Sequence, residues 1–357
     1  MAESTKRVLS RRVLPFFLLV PVSAVVWAVS SNPLAVFLSA GIAIVPLAYV
    51  MGVATEELGK RAGPGLGGLL NATFGNATEL IIALVALSGG LVDVVKASIT
   101  GSIIGNILLV LGVSMLAGGV RHPRQSFNRA AAGLQVTMLT LAVIALVMPE
   151  LYNLFVPAPA PTVERMSILI AAILLVAYIA GLVFSFHTHR DVFNPVSAEE
   201  DPPRWSVRFA LGILLGATAL VGVESEILVG ALGGAMATAG LSALFAGVVV
   251  VAIIGNAAEH GASVMMAWRN KMDLSVGICT SSSTQIALFV APLLVFASLF
   301  LGPTRLTLGF EPFELVSIAL SVAVLSLIAS DGESNWYEGA LLVMVYLIVA
   351  IGFYFHP

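Results

Sequence analysis

Apolar residues run along this chain in long blocks, separated by short clusters of Gly, Pro and charged residues and without period-two alternation. A membrane-spanning helix needs about 20 mostly apolar residues, and continuous runs of this kind exclude a porin-like barrel. Hydropathy and punctuation predict about eleven helical spans, near 14–30, 33–58, 66–88, 91–117, 130–154, 164–187, 206–231, 240–268, 272–300, 312–330 and 334–355. Lys6, Arg7, Arg11 and Arg12 precede the first, which ends at Ala28-Val29-Ser30. A cleaved signal peptide reads the same way, but a second long apolar segment follows at once and favours a retained first span.

Composition narrows the class. Of 357 residues, 59% are hydrophobic and 10% charged, with a mean hydropathy of +1.01. Soluble domains carry about 25% charged residues, so the expectation is an all-α integral membrane protein with no room for a soluble catalytic domain. The net charge of -3 argues against a nucleic-acid partner; the lipid bilayer is the partner the composition implies. The single cysteine, Cys279, lies in an apolar segment and reads as a small core residue.

Lys and Arg placement sets the orientation. With a cytoplasmic N-terminus, 14 basic residues fall on the cytoplasmic side, and the other side has Lys96, Arg165 and Arg305. Lys96 reads as a snorkelling side chain. The hydrophilic connector from His187 to Trp205 carries Asp191, Glu199, Glu200 and Asp201 among three prolines. It reads as a solvated link, or alternatively as a cation-attracting or regulatory patch. His187 and His189 do not make a metal site by themselves, and Pro157-Ala158-Pro159-Ala160-Pro161 reads as a stiff outer loop.

One polar sequence interrupts the apolar blocks twice: Gly75-Asn76-Ala77-Thr78-Glu79 and Gly255-Asn256-Ala257-Ala258-Glu259. An offset of 180 residues superposes the two and continues without a gap, matching Asp93 with Asp273, Thr100 with Thr280, Ser102 with Ser282 and Leu108 with Leu288. Upstream, Gly52-Val53-Ala54-Thr55-Glu56-Glu57-Leu58 resembles Gly222-Val223-Glu224-Ser225-Glu226-Ile227-Leu228 at an offset of 170. Chance likeness between apolar helices accounts for shared Leu and Val but hardly for these polar matches. The reading is two five-helix repeats plus an extra N-terminal helix, with the chain dividing into 1–31, 32–187, 188–205 and 206–357. An odd helix count inverts the second repeat, the architecture of secondary transporters, whose sites sit at interrupted helices near the midplane.

A carboxylate at membrane depth costs at least a few kcal/mol and ordinarily marks an ion or proton path. Gly75 and Gly255 loosen their helices and expose carbonyl oxygens. Asn76 and Glu79 share a helix face, as do Asn256 and Glu259, and the next helices add Ser102 with Asn106 and Ser282 with Gln285. All are oxygen donors, a hard-cation set suited to Ca²⁺, which takes 6–8 oxygens at about 2.3–2.6 Å. Zinc and copper want His or Cys, and Mg²⁺ releases water reluctantly. Without the cation, two close carboxylates in a low-dielectric site cannot both stay charged, so H⁺ competes with Ca²⁺ for the same oxygens. Such a site is expected to exchange the two ions by alternating access, with no cofactor beyond the transported Ca²⁺. For Glu56, Glu57, Glu224 and Glu226, nearer predicted helix ends, interfacial solvation and an ion-path role are both open. His260 either relays protons or only donates a hydrogen bond.

These residues resemble the Ca²⁺/cation antiporter superfamily, most closely its calcium/proton exchanger branch. The most specific parts are the two glutamate motifs and the stretch from Lys271-Met272-Asp273-Leu274 to Ser282-Ser283-Thr284-Gln285-Ile286. The resemblance covers nearly everything beyond the first span. It implies ten core helices plus an extra one, Glu79 and Glu259 as central ligands, and Glu56 and Glu226 as accessory acids. It also implies a prokaryotic cell membrane, or a vacuolar-type membrane in a eukaryote. The connector lacks the long acidic run the family would suggest. Rival readings are a sodium-coupled exchanger, for which the neutral Asn106 and Gln285 are a poor fit, a cation channel, and an intramembrane hydrolase, for which no catalytic motif is present. No enzymatic activity is expected.

Overall fold

The computed structural model describes residues 14–156, 159–189 and 202–356. The basic N-terminal tail, Pro157-Ala158 and most of the acidic connector, including Asp191, Glu199, Glu200 and Asp201, lie outside the described residues. Among those described, eight helices are long and apolar enough to cross a membrane, and the bent pair Ala243–Gly255 and Ala257–Trp268 makes a ninth. Phe16–Val29 and Ala77–Ser88 are shorter apolar helices. The chain is a multi-pass integral membrane protein, helical through most of its described residues.

In order, the helices are α1 (Leu19–Val29), α2 (Pro33–Phe74), α3 (Ala77–Ser88), α4 (Val92–Ile104), α5 (Leu111–Arg121), α6 (Arg129–Phe155), α7 (Ala160–Val183) and α8 (Val207–Ala239). There follow α9 (Ala243–Phe245), α10 (Ala252–Gly255), α11 (Ala257–Trp268), α12 (Met272–Gln285), α13 (Ala291–Ala297), α14 (Pro312–Ala329) and α15 (Trp336–Phe355). Their starts follow ordinary capping chemistry. The side chains of Asn128, Ser206, Ser242 and Asn335 each accept from a backbone N–H of the first turn, satisfying donors that have no partner inside the helix. Gly240 ends α8 at φ 67°, a left-handed conformation that a Cβ would disfavour.

Gly59 and Gly67 flank the gap predicted between the second and third spans: a Cβ on Gly67 would lie 2.6 Å from the Gly59 carbonyl oxygen, whereas eight residues of straight helix would separate the two by about 12 Å. One expectation changes, at α8, which runs to Ala239, well beyond the predicted end near 231. Glu224 and Glu226 thus lie near the middle of a membrane-crossing helix, not near its end. The apolar run past Gly230 and the small residues of Ala231–Ala239 carry the helix on until Gly240 stops it.

The chain divides into two units that cut across the sequence repeats. The first comprises residues 1–86, 186–241 and 254–258. In it α2 packs along α8 over its length, and α1 lies on α2. Pro33 meets Gly234, Gly41 meets Leu228 and Ile254, and Glu57 meets the backbone of Arg204 and Trp205, so the two helices are antiparallel. The second unit comprises 87–185, 242–253 and 259–357. Here α4 crosses the 246–251 stretch so closely that a Cβ on Gly101 would collide with the Val248 carbonyl oxygen. Small residues at helix crossings are how membrane helices approach without a hydrophobic drive between them. A two-residue antiparallel ladder, Gln125↔Ser334 and Ser126↔Glu333, ties the loops before α6 and α15.

Wide helical turns recur near the motif residues. The π stretches Gly105–Val110 and Ile286–Val290 end at positions 180 residues apart, the first containing Asn106 and the second beginning just after Gln285. A third, Ala246–Val251, precedes Gly255 by one turn. Such insertions in α-helices concentrate at functional sites. The spans carrying the first two are also the most enclosed: 72% of the apolar window of Val92–Arg121 and of Met272–Ala297 is buried, against 22% for Pro161–Thr188 and Trp336–Phe355.

Candidate ion-exchange site

Both glutamate motifs fall where a helix breaks. Gly75 and Asn76 leave the helical path between α2 and α3, and Asn256 does so between α10 and α11, with a bend of 63° across the second break. The Asn76 carbonyl accepts from Leu80 N–H at 3.1 Å and begins α3. Each glutamate is then the third residue of the new helix and lies in its first turn. The partial positive charge of a helix N-terminus favours a carboxylate there, which offsets part of the cost of holding one away from water.

In the first unit, Glu79 and Asn76 are buried, and so is Asn256. Gly255 makes room for Glu79: a Cβ at 255 would sit 3.0 Å from Glu79 Cγ. The motif glycine of one repeat is thus seated on the motif glutamate of the other, a packing relation that sequence spacing does not contain.

In the second unit, Ser282 Oγ donates to Glu259 Oε2 at 2.7 Å, and Asn106 Nδ2 donates to Ser282 Oγ at 3.0 Å. A relay, buried at Asn106 and Ser282 and partly buried at Glu259, therefore joins α12, the π stretch after α4 and the break glutamate. Ser102 is buried one turn before Asn106. Gln285, one turn after Ser282, ends α12. Toward the far end of α11, Ser263 Oγ meets Ser114 Oγ at 2.9 Å, Ser275 Oγ at 2.8 Å and Cys279 Sγ at 3.1 Å. Cys279 is indeed a buried core residue. Among the described residues no group of three or more His, Cys, Asp or Glu side chains is placed to hold a metal ion; the candidate ligands are two carboxylates with amide, hydroxyl and carbonyl oxygens.

The remaining acids separate by environment. Glu56 is exposed and pairs with Lys60 at 2.6 Å. Glu57 is buried, and its Oε2 accepts from Arg204 N–H at 2.6 Å and Trp205 N–H at 2.8 Å, tying the end of the connector to α2. Glu226 faces outward from α8, whereas Glu224, two residues earlier, is buried and accepts from Ser23 Oγ of α1 at 2.7 Å. His260 is partly buried beside Glu259. Lys96 reaches the Gly309 carbonyl and the Phe310 ring, so the loop before α14 engages the ammonium group.

Glu314 escaped the sequence reading. It is buried in α14 and accepts from Thr100 Oγ1 at 2.8 Å and from Glu311 N–H at 3.0 Å. The Glu311-Pro312-Phe313-Glu314 sequence signals a capping acid, which hides the additional bond to Thr100.

Broken helices that carry acids inside a multi-pass membrane protein are the frame of an ion-translocating carrier. The chain belongs to the sodium/calcium exchanger protein family, which matches residues 32–187 and 209–355. It is 44% identical over 359 residues, 95% of each chain, to a protein of Aphanothece halophytica named Ca(2+)/H(+) antiporter. It is 46% identical over 343 residues to one of the same name from Synechocystis, covering 90% of this chain and 91% of the other. The solved structure of native YfkE, 40% identical, superposes with a TM-score of 0.83 over 96% of this chain and all of that one.

Proposed function

We propose that this protein is a secondary transporter that exchanges Ca²⁺ for H⁺ across a membrane by alternating access. The observation that carries the reading is its identity of 44–46%, over at least nine-tenths of the chain, with proteins named Ca²⁺/H⁺ antiporters. In this reading Glu79 and Glu259 are the exchanging carboxylates, carrying either Ca²⁺ or protons. Asn76, Asn256, Ser102, Asn106, Ser282 and Gln285 supply neutral oxygens. Ca²⁺ is cargo, and no resident cofactor or catalytic step is needed.

The donor chemistry supports this assignment. A carboxylate brings the charge that offsets stripping water from a divalent ion, and the same oxygens bind a proton when the metal leaves. The sodium-coupled alternative needs oxygen sites for several Na⁺. The positions one turn beyond Ser102 and Ser282 are the neutral Asn106 and Gln285, which gives that alternative less to work with. Adding Ca²⁺ to the purified protein in weakly buffered, sodium-free solution is expected to release protons. Ca²⁺ binding without proton release would refute the reading, and Ca²⁺ displacement by Na⁺ but not by acid would favour the sodium-coupled one.

A further inference from the structure

The helix outside the two repeats holds one buried side chain, Ser23, in an otherwise lipid-like sequence. Ser23 is fully buried, and its hydroxyl donates to Glu224 Oε2 at 2.7 Å, with Glu224 itself 2% exposed. A helix needing only to sit in lipid has no use for an inward serine. A buried membrane carboxylate, for its part, is costly without a function or a cation.

Among the described residues, no cation faces it from α1, α2 or α8. α1 has no ionisable residue. On α2, the order of contacts (Pro33 with Gly234, Gly41 with Leu228, Glu57 with Arg204 and Trp205) sets the stretch before Thr55 alongside Glu224. Its one titratable group is the exposed Tyr49. Glu56, Glu57, Lys60 and Arg61 gather farther along α2, tied to one another or to the end of the connector. On α8 itself the charged groups are Arg208, near its start, and the outward-facing Glu226.

Within the first unit, Glu224 is also linked to Glu79 through a chain of packing contacts. Leu228, one turn on, touches Gly41; Gly41 touches Ile254; and the next residue, Gly255, lies against Glu79. All these residues belong to the first unit.

We propose that Glu224 is a second proton-binding station of the exchanger, with Ser23 of the extra helix as its positioning residue; the inference rests on the Ca²⁺/H⁺ reading above. Glu224 takes one proton on a carboxylate oxygen and returns it, with no other bond made or broken. A serine hydroxyl both donates and accepts, so Ser23 bonds to the carboxylate as donor and to the carboxylic acid as acceptor. The bond to the charged form is the stronger of the two, so its loss changes the balance between the forms and hence the pH dependence of transport.

The test compares wild type, Ser23→Ala, Ser23→Thr and Glu224→Gln, each reconstituted in liposomes, by ΔpH-driven Ca²⁺ uptake measured across a pH series. Ser23→Ala is expected to keep its maximal rate within about threefold while its pH midpoint moves by about 0.5–1 unit, the equivalent of one hydrogen bond. Ser23→Thr is expected to restore the midpoint. In Glu224→Gln the midpoint moves too, and adding Ser23→Ala to it has no further effect. Profiles of Ser23→Ala and Glu224→Gln that superpose on wild type would overturn the proposal. A loss of rate in Ser23→Ala with an unmoved midpoint would also overturn it, because that is what a purely structural contact gives. Wild-type uptake that ignores the pH gradient would instead refute the exchange reading itself.

Discussion

Glu79 and Glu259 follow nearly the same five-residue sequence, occupy the same position in the first turn after a helix break, and meet different neighbours. Glu79 is buried with its Cγ against the bare backbone of Gly255. Glu259 accepts a hydrogen bond from Ser282, which in turn accepts from Asn106, so a polar relay holds it. The breaks differ as well: two residues leave the helix at Gly75-Asn76, and one at Asn256. The two copies share the charge and the helix terminus but differ in the neighbours seen around the side chain, Gly255 in one and Ser282 in the other. The two glutamates are therefore expected to be alike when the charge is removed and unlike when their surroundings are altered.

The largest effects come from the charges themselves. Glu79→Gln and Glu259→Gln are each expected to reduce Ca²⁺ uptake by at least about 100-fold while the protein still elutes as a folded species, since an amide keeps the shape but cannot offset dehydration of the ion. Near wild-type uptake by either variant would break the equivalence.

Next is Gly255→Ala, whose new Cβ would press on Glu79 Cγ at 3.0 Å. A displacement of this kind is expected to weaken apparent Ca²⁺ affinity by about tenfold. Gly105→Ala, where nothing lies within 4 Å, serves as the control and is expected to stay near wild type. Equal losses in the two would mean that packing on Glu79 is not the cause.

Ser282→Ala removes the donor to Glu259 and the acceptor for Asn106. Titration of uptake against Ca²⁺ is expected to show an affinity about three- to tenfold lower, the scale of the net contribution of one hydrogen bond; an unchanged value would mean that the relay does not support Ca²⁺ binding. The smallest effect is expected from Glu56→Gln. Its exposed pair with Lys60 contributes less than about 1 kcal/mol, and uptake is expected to fall by no more than about twofold.

Much of the frame was legible because its signals are local. Gly-Asn-Ala-x-Glu inside an apolar run announces a break with an acid just beyond it, and the 180-residue offset exposes the duplication. The extension of α8 to Ala239 depends on where a left-handed glycine falls, so that element's end moved and Glu224 shifted to mid-helix. Contacts between distant segments were hidden altogether. Nothing in the spacing of Ser23 and Glu224, or of Gly255 and Glu79, brings them together, and Glu314 looked like a capping acid because it is one. The wide turns around Asn106 and after Gln285 leave no composition signal, since π and α segments use the same residues.

Uptake of Ca²⁺ into sodium-free proteoliposomes under an imposed pH gradient bears most directly on what both glutamates are for. Ca²⁺ is expected to move against the proton flow, to stop when a protonophore collapses the gradient, and to show an apparent affinity that falls as the pH on the Ca²⁺-binding side is lowered, because protons occupy the same carboxylates. Uptake that requires a sodium gradient and ignores the pH gradient, or that needs no gradient and saturates poorly with Ca²⁺, would contradict it.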